Sequence, residues 1–300
     1  MQEQAQKLTL SEINEQIGQL PMLPGVLFEL MKLDPEDTEF YDVMLRLAKS
    51  DPPLAAFIVA YSNSAVSSPN SKIDSLQTAL TRVGSRTIIE LLTALSVSKV
   101  FVPQKQGHKD IWRHSIEVAN IAAFIARLTP GEMNNPETAY LAGLLHDIGR
   151  FVLFQLSPDA LNETLEEGWS DPDELIQVEM KAVGFPHTKV GYLACKKLDI
   201  PMLIASVVRY HHNVEVVSHP KAPPELQCLS LSVQVADAVS MMLAKNSDWQ
   251  EWSEDNLKEH ILSFCVQPCW RDKELPIHSL VPALKMLMEK SENTCKSLGV

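Results

Sequence analysis

Five of the nine histidines, His114, His146, His187, His211 and His212, fall where a helix should bury apolar surface or end. His114 shares a face with Ile111 and Val118, three residues before it and four after it. His146-Asp147 follows the run Leu141-Ala142-Gly143-Leu144-Leu145 and precedes Ile148-Gly149. His211-His212 closes an apolar helix that opens at Pro201, and Asp237 shares a stripe with Val233, Met241 and Ala244. A carboxylate on a buried helical face is costly unless a cation or several donors satisfy it. Taken singly, each residue is open to a plainer reading: a histidine hydrogen-bonded in the core, Asp237 paired with an arginine, Asp147 capping a helix. In the order His, His-Asp, His, His-His, Asp, on apolar helices of one lobe, they suggest a shared cation.

The elements that must position this set read as helices throughout. Leu76, Ala79, Leu80 and Val83 repeat at helical spacing, as do Ile88, Leu91, Leu92 and Leu95. Asp51-Pro52, Ser157-Pro158 and Asp171-Pro172-Asp173-Glu174 place capping side chains before a first-turn proline. There is no Asn-Gly or Asp-Gly hairpin signal and no sustained alternation, so the expected class is all-α. The longer helices are expected at 110–128, 136–156, 172–183, 187–198, 201–212, 225–246 and 276–297. Pro103 to Gly107 reads as a linker, and Ser218 to Pro224, with three prolines, as a loop.

Composition narrows the function classes. Of 300 residues, 45% are hydrophobic and 21% charged, an ordinary globular balance. The formal charge of −12 leaves no basic footprint for a phosphate backbone, so a nucleic-acid polymer is not expected as partner. No segment reaches 18 uninterrupted apolar residues. The best, Ile88 to Val102, is broken by Glu90, Ser96, Ser98 and Lys99, so no membrane span is expected. The N-terminus carries no readable signal peptide. Five scattered cysteines read as reduced thiols in a cytoplasm. Cys265-x-x-x-Cys269 with His260 nearby is a loose zinc spacing without a second pair.

Several motifs together carry a family resemblance. The first part of the chain has Leu20-Pro21-x-Leu23-Pro24, Asp51-Pro52-x-Leu54, Ser62-Asn63-Ser64-Ala65 and Ala79-Leu80-x-x-Val83-Gly84. The second has Ile111-Trp112-Arg113-His114-Ser115, Leu141 to Arg150, Gly184-x-x-His187-x-x-x-Gly191 and Tyr210-His211-His212. Over roughly residues 20 to 245 the chain resembles HDOD proteins, the signalling branch of the HD metal-dependent phosphohydrolases. The resemblance implies an N-terminal helical lobe packed on an HD-type helical bundle. It divides the chain into an extension at 1–19, an N-terminal lobe at 20–103, a metal-binding lobe at 104–245 and a C-terminal extension at 246–300.

The resemblance also assigns the residues. His114, His146, Asp147 and Asp237 match the metal set of the HD superfamily. His187, His211 and His212 match additional histidines of the HD-GYP phosphodiesterases, and Asp110 stands where some of those enzymes place a further carboxylate. The Gly-Tyr-Pro element of that group is absent; Asn213-Val214-Glu215-Val216-Val217 stands there. Arg150 replaces the lysine often found three residues after the His-Asp pair. An aspartate can bridge two cations about 3.5–4 Å apart in two-metal hydrolytic sites. Asp147 would bridge, with His114, His146 and Asp237 on one ion and His187, His211 and His212 on the other. Imidazole with carboxylate suits iron, manganese, zinc or nickel.

Many HDOD members have lost ligands and are thought to act in regulation. The expected function is therefore a cytoplasmic signal-transduction protein with a mono- or dinuclear metal site and signalling partners in trans. The alternative is a metal-dependent phosphohydrolase or phosphodiesterase acting on a nucleotide or cyclic dinucleotide. In that enzyme Asp147 and Arg150 would be catalytic, with Arg150 clamping a phosphate-containing ligand. Otherwise Arg150 is a surface charge. Trp112 could stack on a base or fill the core, Ser62-Asn63-Ser64 reads as a turn, and the Met-rich run Leu280 to Met288 as packing or a partner helix.

Overall fold

Local capping chemistry starts several helices. The Ser75 hydroxyl accepts from the Thr78 N–H, and the Asn135 side chain accepts from Thr138 N–H at 2.7 Å ahead of Pro136. Ser253 accepts from the Asn256 N–H at 3.2 Å. A computed structural model describes residues 7–18, 38–50, 58–59, 61–63, 75–100, 106–129, 135–158, 172–270 and 272–298. Among them there is no strand, and the chain is all-α.

The described helices are α1 (Leu10–Gly18), α2 (Thr38–Ser50), α3 (Leu76–Val83), α4 (Ser85–Val100), α5 (Gln106–Leu128), α6 (Pro136–Leu145), α7 (Ile148–Leu156), α8 (Pro172–Ala182), α9 (His187–Lys197), α10 (Met202–Tyr210), α11 (Pro224–Lys245), α12 (Glu254–His260) and α13 (Ile277–Leu298). A 3₁₀ turn, Val214–Val217, follows α10. A π-helical turn, Ile261–Cys265, prolongs α12.

Two expectations need correction. Gln106 and Gly107, assigned to a linker, open α5; Pro103 to Lys105 lie outside the described residues. The helix expected at 136–156 is two helices, broken at His146-Asp147, where Asp147 leaves the helical region at φ −99°, ψ 12°. The uninterrupted apolar run gave no warning of that break. Leu20 to Pro24, Asp51-Pro52, Ser64-Ala65 and Asp171 also lie outside the described residues. Ser62-Asn63 is a turn, with the Ser62 hydroxyl and the Asn63 amide both donating to the Val59 carbonyl.

The main core centres on α5, which packs against α6, α11 and α13. Ile13 and Ile17 join it from α1, and Trp249, Leu257, Trp270, Leu280 and Leu284 join it from the C-terminal segment. In Leu280 to Met288 the leucines pack inward and Met286 is exposed, so the run is chiefly packing. A smaller core gathers Phe40, Met44, Ile58, Ala79, Leu80, Ile88, Ile89 and Leu92. Every residue from Ile88 to Ala94 is buried, as expected of a helix covered all round. Within that stretch, Lys290 of α13 donates to buried Glu90.

By length and composition one described helix, Pro224–Lys245, could cross a membrane, rather than Ile88 to Val102. Its apolar window is 78% buried inside the protein, and it carries Asp237.

Candidate metal centre

The break at His146-Asp147 turns two successive side chains into one space. Asp147 occupies the N-cap position of α7, yet its carboxylate makes no cap bond. It accepts instead from Arg150 Nη1 at 3.0 Å. Gly149 lets α7 approach the start of α9 closely. A Cβ there would lie 2.0 Å from the His187 carbonyl oxygen and 2.6 Å from the Gly191 nitrogen. That approach sets Asp147 Oδ1 3.3 Å from His187 Nε2.

The end of α10 supplies the paired histidines. His211 Nδ1 donates to the Val208 carbonyl at 2.9 Å. His187 Nδ1 donates to Glu179 Oε2 at 2.7 Å, and the same oxygen accepts from the His187 backbone N–H at 2.8 Å. A carbonyl and a carboxylate can only accept, so these bonds fix both tautomers. His187 and His211, when neutral, therefore turn Nε2 lone pairs towards each other across 3.2 Å. His212 Nε2 lies 3.1 Å from His187 Nε2. Lone pairs meeting in a buried space repel unless a proton or cation lies between them. Asp147, His187, His211 and His212 offer ligand atoms all within 4.8 Å of one another.

A second group, His114, His146 and Asp147, meets the same condition and shares Asp147. His146 Nδ1 donates to the Gly143 carbonyl at 2.7 Å, which leaves Nε2 towards Asp147, 3.8 Å away. Asp237 flanks this group, with Oδ1 3.2 Å from His114 Nε2 and Oδ2 4.0 Å from His212 Nδ1. The seven residues singled out in the sequence thus lie together, with Asp147 in both groups and Asp237 beside them. Asp110 is exposed and falls outside both groups.

Burial lowers His114 and His187, but the Asp237 and Glu179 carboxylates respectively outweigh it and raise both, so the set is shifted in both directions. Burial pushes His146 down to about 4 against the pull of Asp147. It also holds His212 well below the usual imidazole range, helped by His211 and His187. Burial opposes ionisation of Asp147 and Asp237. For Asp147 the neighbouring His146 imidazole and the Arg150 guanidinium outweigh it; for Asp237 the His114 hydrogen bond and the imidazoles of His146, His114 and His212 do so. Both carboxyls lie below their ordinary value.

Sequence reasoning missed the residues that orient the ligands. Glu179 is buried on the stripe Leu175, Glu179, Val183, and a carboxylate in that stripe was the available signal. His114 Nδ1 pairs with Ser240 Oγ at 2.9 Å, and that hydroxyl donates to Glu117 Oε2 at 2.7 Å. Such partners fix ligand orientation and basicity in metal sites.

Arg150 is buried rather than a surface charge, because Asp147 holds its guanidinium inside. Trp112 is fully buried, 5.2 Å from the Phe151 ring, and fills the core. A cavity of about 510 Å³ opens at the site, lined by His114, His146, Asp147, Arg150, His211, His212 and Asp237 together with Gln234, Met241, Phe264 and Trp270.

Cys265 and Cys269 do not form a metal group with His260 among the described residues. Cys265 is buried and Cys269 exposed, with His260 Nδ1 bonded to the Asn256 carbonyl. Burial pushes the Cys195 and Cys265 thiols up to about 12 and Cys295 to about 11. Thiolate is the reacting form, so iodoacetamide should label native protein at Cys269 first and half-buried Cys228 next. Mass spectrometry should find Cys195, Cys265 and Cys295 modified only after unfolding. Rapid native labelling of Cys265 would contradict its environment.

The family model for the HDOD domain matches residues 20–214. A protein of Treponema pallidum (strain Nichols), described only as uncharacterized, is 25% identical over 254 residues, 84% of this chain and 48% of that one. The chain thus spans about half the length of that relative. An HDOD domain protein of Geobacter sulfurreducens, of unknown function, is similar in fold, with TM-score 0.68, 21% identity and coverage of 96% and 97% of the two chains. A candidate phosphohydrolase of Shewanella amazonensis matches with TM-score 0.65, 20% identity and coverage of 96% and 98%. With the family model covering most of the chain and the helical fold in agreement, this protein belongs to the HDOD domain family.

Proposed function

We propose that this protein is an HDOD-type regulatory protein built around a mono- or dinuclear transition-metal centre. The observation that carries the reading is the meeting of the His187, His211 and His212 Nε2 atoms beside Asp147, with two of the three tautomers fixed from behind. His187, His211 and His212 would hold one ion and His114, His146 and Asp237 the other, with Asp147 shared. The mixed imidazole and carboxylate set suits iron, manganese, zinc or nickel. The signalling partner is another protein, and the unpaired cysteines fit a cytoplasmic setting.

The open cavity over these residues favours a second reading, a metal-dependent phosphohydrolase. When bound, the metal would polarise a phosphoryl oxygen and supply an activated water. Arg150, on the cavity wall, would turn from Asp147 to a phosphate oxygen, and His146 and His212, held neutral by burial, would remain acceptors.

Elemental analysis of full-length protein purified without chelator tests the shared basis of both readings. It should find one to two transition-metal ions per chain, and EDTA should lower the melting temperature by on the order of 10 °C. A ligand at 1,000 times its dissociation constant stabilises by about 4 kcal/mol, and each kcal/mol moves the melting of a chain of this order by about 2–4 °C. Protein without metal whose melting ignores EDTA refutes the reading. Hydrolysis of a phosphodiester by the metal-loaded protein would raise the second reading above the first.

A further inference from the structure

Charge is unevenly spread along the chain. Between Lys181 and His212 stand five lysines or arginines and one aspartate, a local charge of +4 in a chain of −12. Lys189, Tyr192 and Lys196 follow at i, i+3 and i+7, so they share the outer side of α9; Val190, Gly191 and Ala194 on its other side are buried. Lys189 stands in the first turn, where the helix dipole disfavours a cation, and its Nζ lies 5.0 Å from the Phe185 ring centre. Lys196 Nζ lies 5.9 Å from the Tyr192 ring centre, and the Tyr192 hydroxyl meets Met202 Sδ at 3.9 Å. Met202 opens α10 and is 57% exposed.

The opposite pattern lies on the C-terminal segment. From Asp248 to Glu259 there are five carboxylates and one lysine, a local charge of −4. Asp255, Glu259 and Leu262 follow at i, i+4 and i+7, on one side of α12 and the π-helical turn that prolongs it. Leu262 is 47% exposed, and Phe264 on the same turn 70%. Among the described residues none of Lys189, Lys196, Asp255 and Glu259 is in an ion pair. A single exposed apolar residue or a lone charged side is ordinary surface. Here each of two faces sets exposed apolar side chains beside charges mostly of one sign, and the signs are opposite. That is the composition of surfaces that fit each other.

We propose that the outer side of α9, with Met202, docks on the acidic side of α12 and its π-helical turn in a second copy of this chain. Lys189 and Lys196 meet Asp255 and Glu259, while Tyr192 and Met202 receive Leu262 and Phe264, setting a thioether against an aromatic ring. Along their helices the lysines are ~10 Å apart and the carboxylates ~6 Å, a difference that flexible lysine stems absorb. A bilayer or a nucleic acid would also be drawn to the lysines, but the acidic remainder of the chain repels such extended polyanions. Phe264 lines the cavity at the candidate metal centre, so the second copy stands at the edge of that cavity. Two different faces meet, so the assembly either closes on itself or grows from both ends. The contact does not depend on the metal reading.

Sedimentation velocity of the full chain over a range of concentrations tests the contact. The mean mass should rise with concentration at low salt and fall to that of a monomer at about 1 M salt, where charges are screened within about 3 Å. Lys189→Glu/Lys196→Glu and Asp255→Lys/Glu259→Lys, all at exposed positions, should keep the wild-type circular dichroism spectrum. Each should weaken self-association at least ~10-fold, because like charges set against each other at an interface cost more than the ~1.4 kcal/mol that a factor of ten represents. An equimolar mixture of the two variants should associate again: one contact keeps both native faces, and the other has exchanged its charges. A wild-type chain that stays monomeric at low salt overturns the proposal, as do variants that associate like the wild type or a mixture no larger than its parts. A monomeric chain that binds phosphatidylserine vesicles through the two lysines overturns it too and assigns the face to a membrane.

Discussion

Asp147→Ala is expected to empty both halves of the metal centre and to lower stability more than loss of any single histidine. Asp147 is the residue common to the two ligand groups, so its removal takes an oxygen from each. It is also the partner of Arg150 at 3.0 Å, with both side chains buried. Removing one member of a buried ion pair strands the other charge at a cost of about 3–5 kcal/mol. Metal content should fall below about a tenth of wild type, since apparent zinc-site affinities of ~10–16 kcal/mol depend on the complete ligand set. The double variant Asp147→Ala/Arg150→Met separates the two effects. It should regain much of the melting temperature, because no charge is stranded, and still bind no metal. Wild-type metal content in Asp147→Ala would show that Asp147 is not a shared ligand, and a double variant no more stable than the single one would show that no charge is stranded at Arg150.

What the sequence disclosed and what it hid follow from the range of the forces involved. The ligand candidates were legible because a carboxylate or imidazole among apolar neighbours contradicts its own helical stripe, which is a local property. Asp237 between Val233 and Met241 is such a case, and Glu179 between Leu175 and Val183 was another that passed unread. The Ser240–Glu117 relay behind His114 was not legible, because residues 117 and 240 meet only through the packing of α5 on α11. The break at His146-Asp147 escaped for a different reason. Helix continuity from 136 to 156 is suggested by the apolar runs on both sides, and at the break Asp147 meets Arg150, three residues on, and His187 of α9. The role of the C-terminal segment was hidden likewise. Leu257, Ile261, Cys265 and Trp270 read as ordinary apolar residues, and only packing shows that all four join the core while Cys265 and Trp270 also line the cavity.

Gly149→Ala is the second variant with a large expected effect, and it acts without touching a ligand. The added methyl would stand 2.0 Å from the His187 carbonyl oxygen and 2.6 Å from the Gly191 nitrogen, against ordinary contacts beyond 3.4 Å. Both obstacles are backbone, so no rotamer relieves the clash and α7 must move away from α9. Overpacking of a close interface costs ~1–3 kcal/mol and more when the backbone itself is in the way. A movement of about 1 Å also separates Asp147 from His187, now 3.3 Å apart, and metal geometry tolerates only ~0.2 Å. The variant should therefore melt several degrees lower and lose most of its metal. Gly191→Ala is the graded comparison. Its methyl first meets the Val208 Cγ1 at 2.8 Å, a side chain, so its loss of stability should be smaller. Gly18→Ala, with nothing within 4 Å, should leave both melting and metal content at wild-type values. Metal analysis and thermal melting of the three proteins give the order Gly149, Gly191, Gly18. A Gly149→Ala protein that holds metal as the wild type does would mean that the α7–α9 contact does not set the ligand geometry.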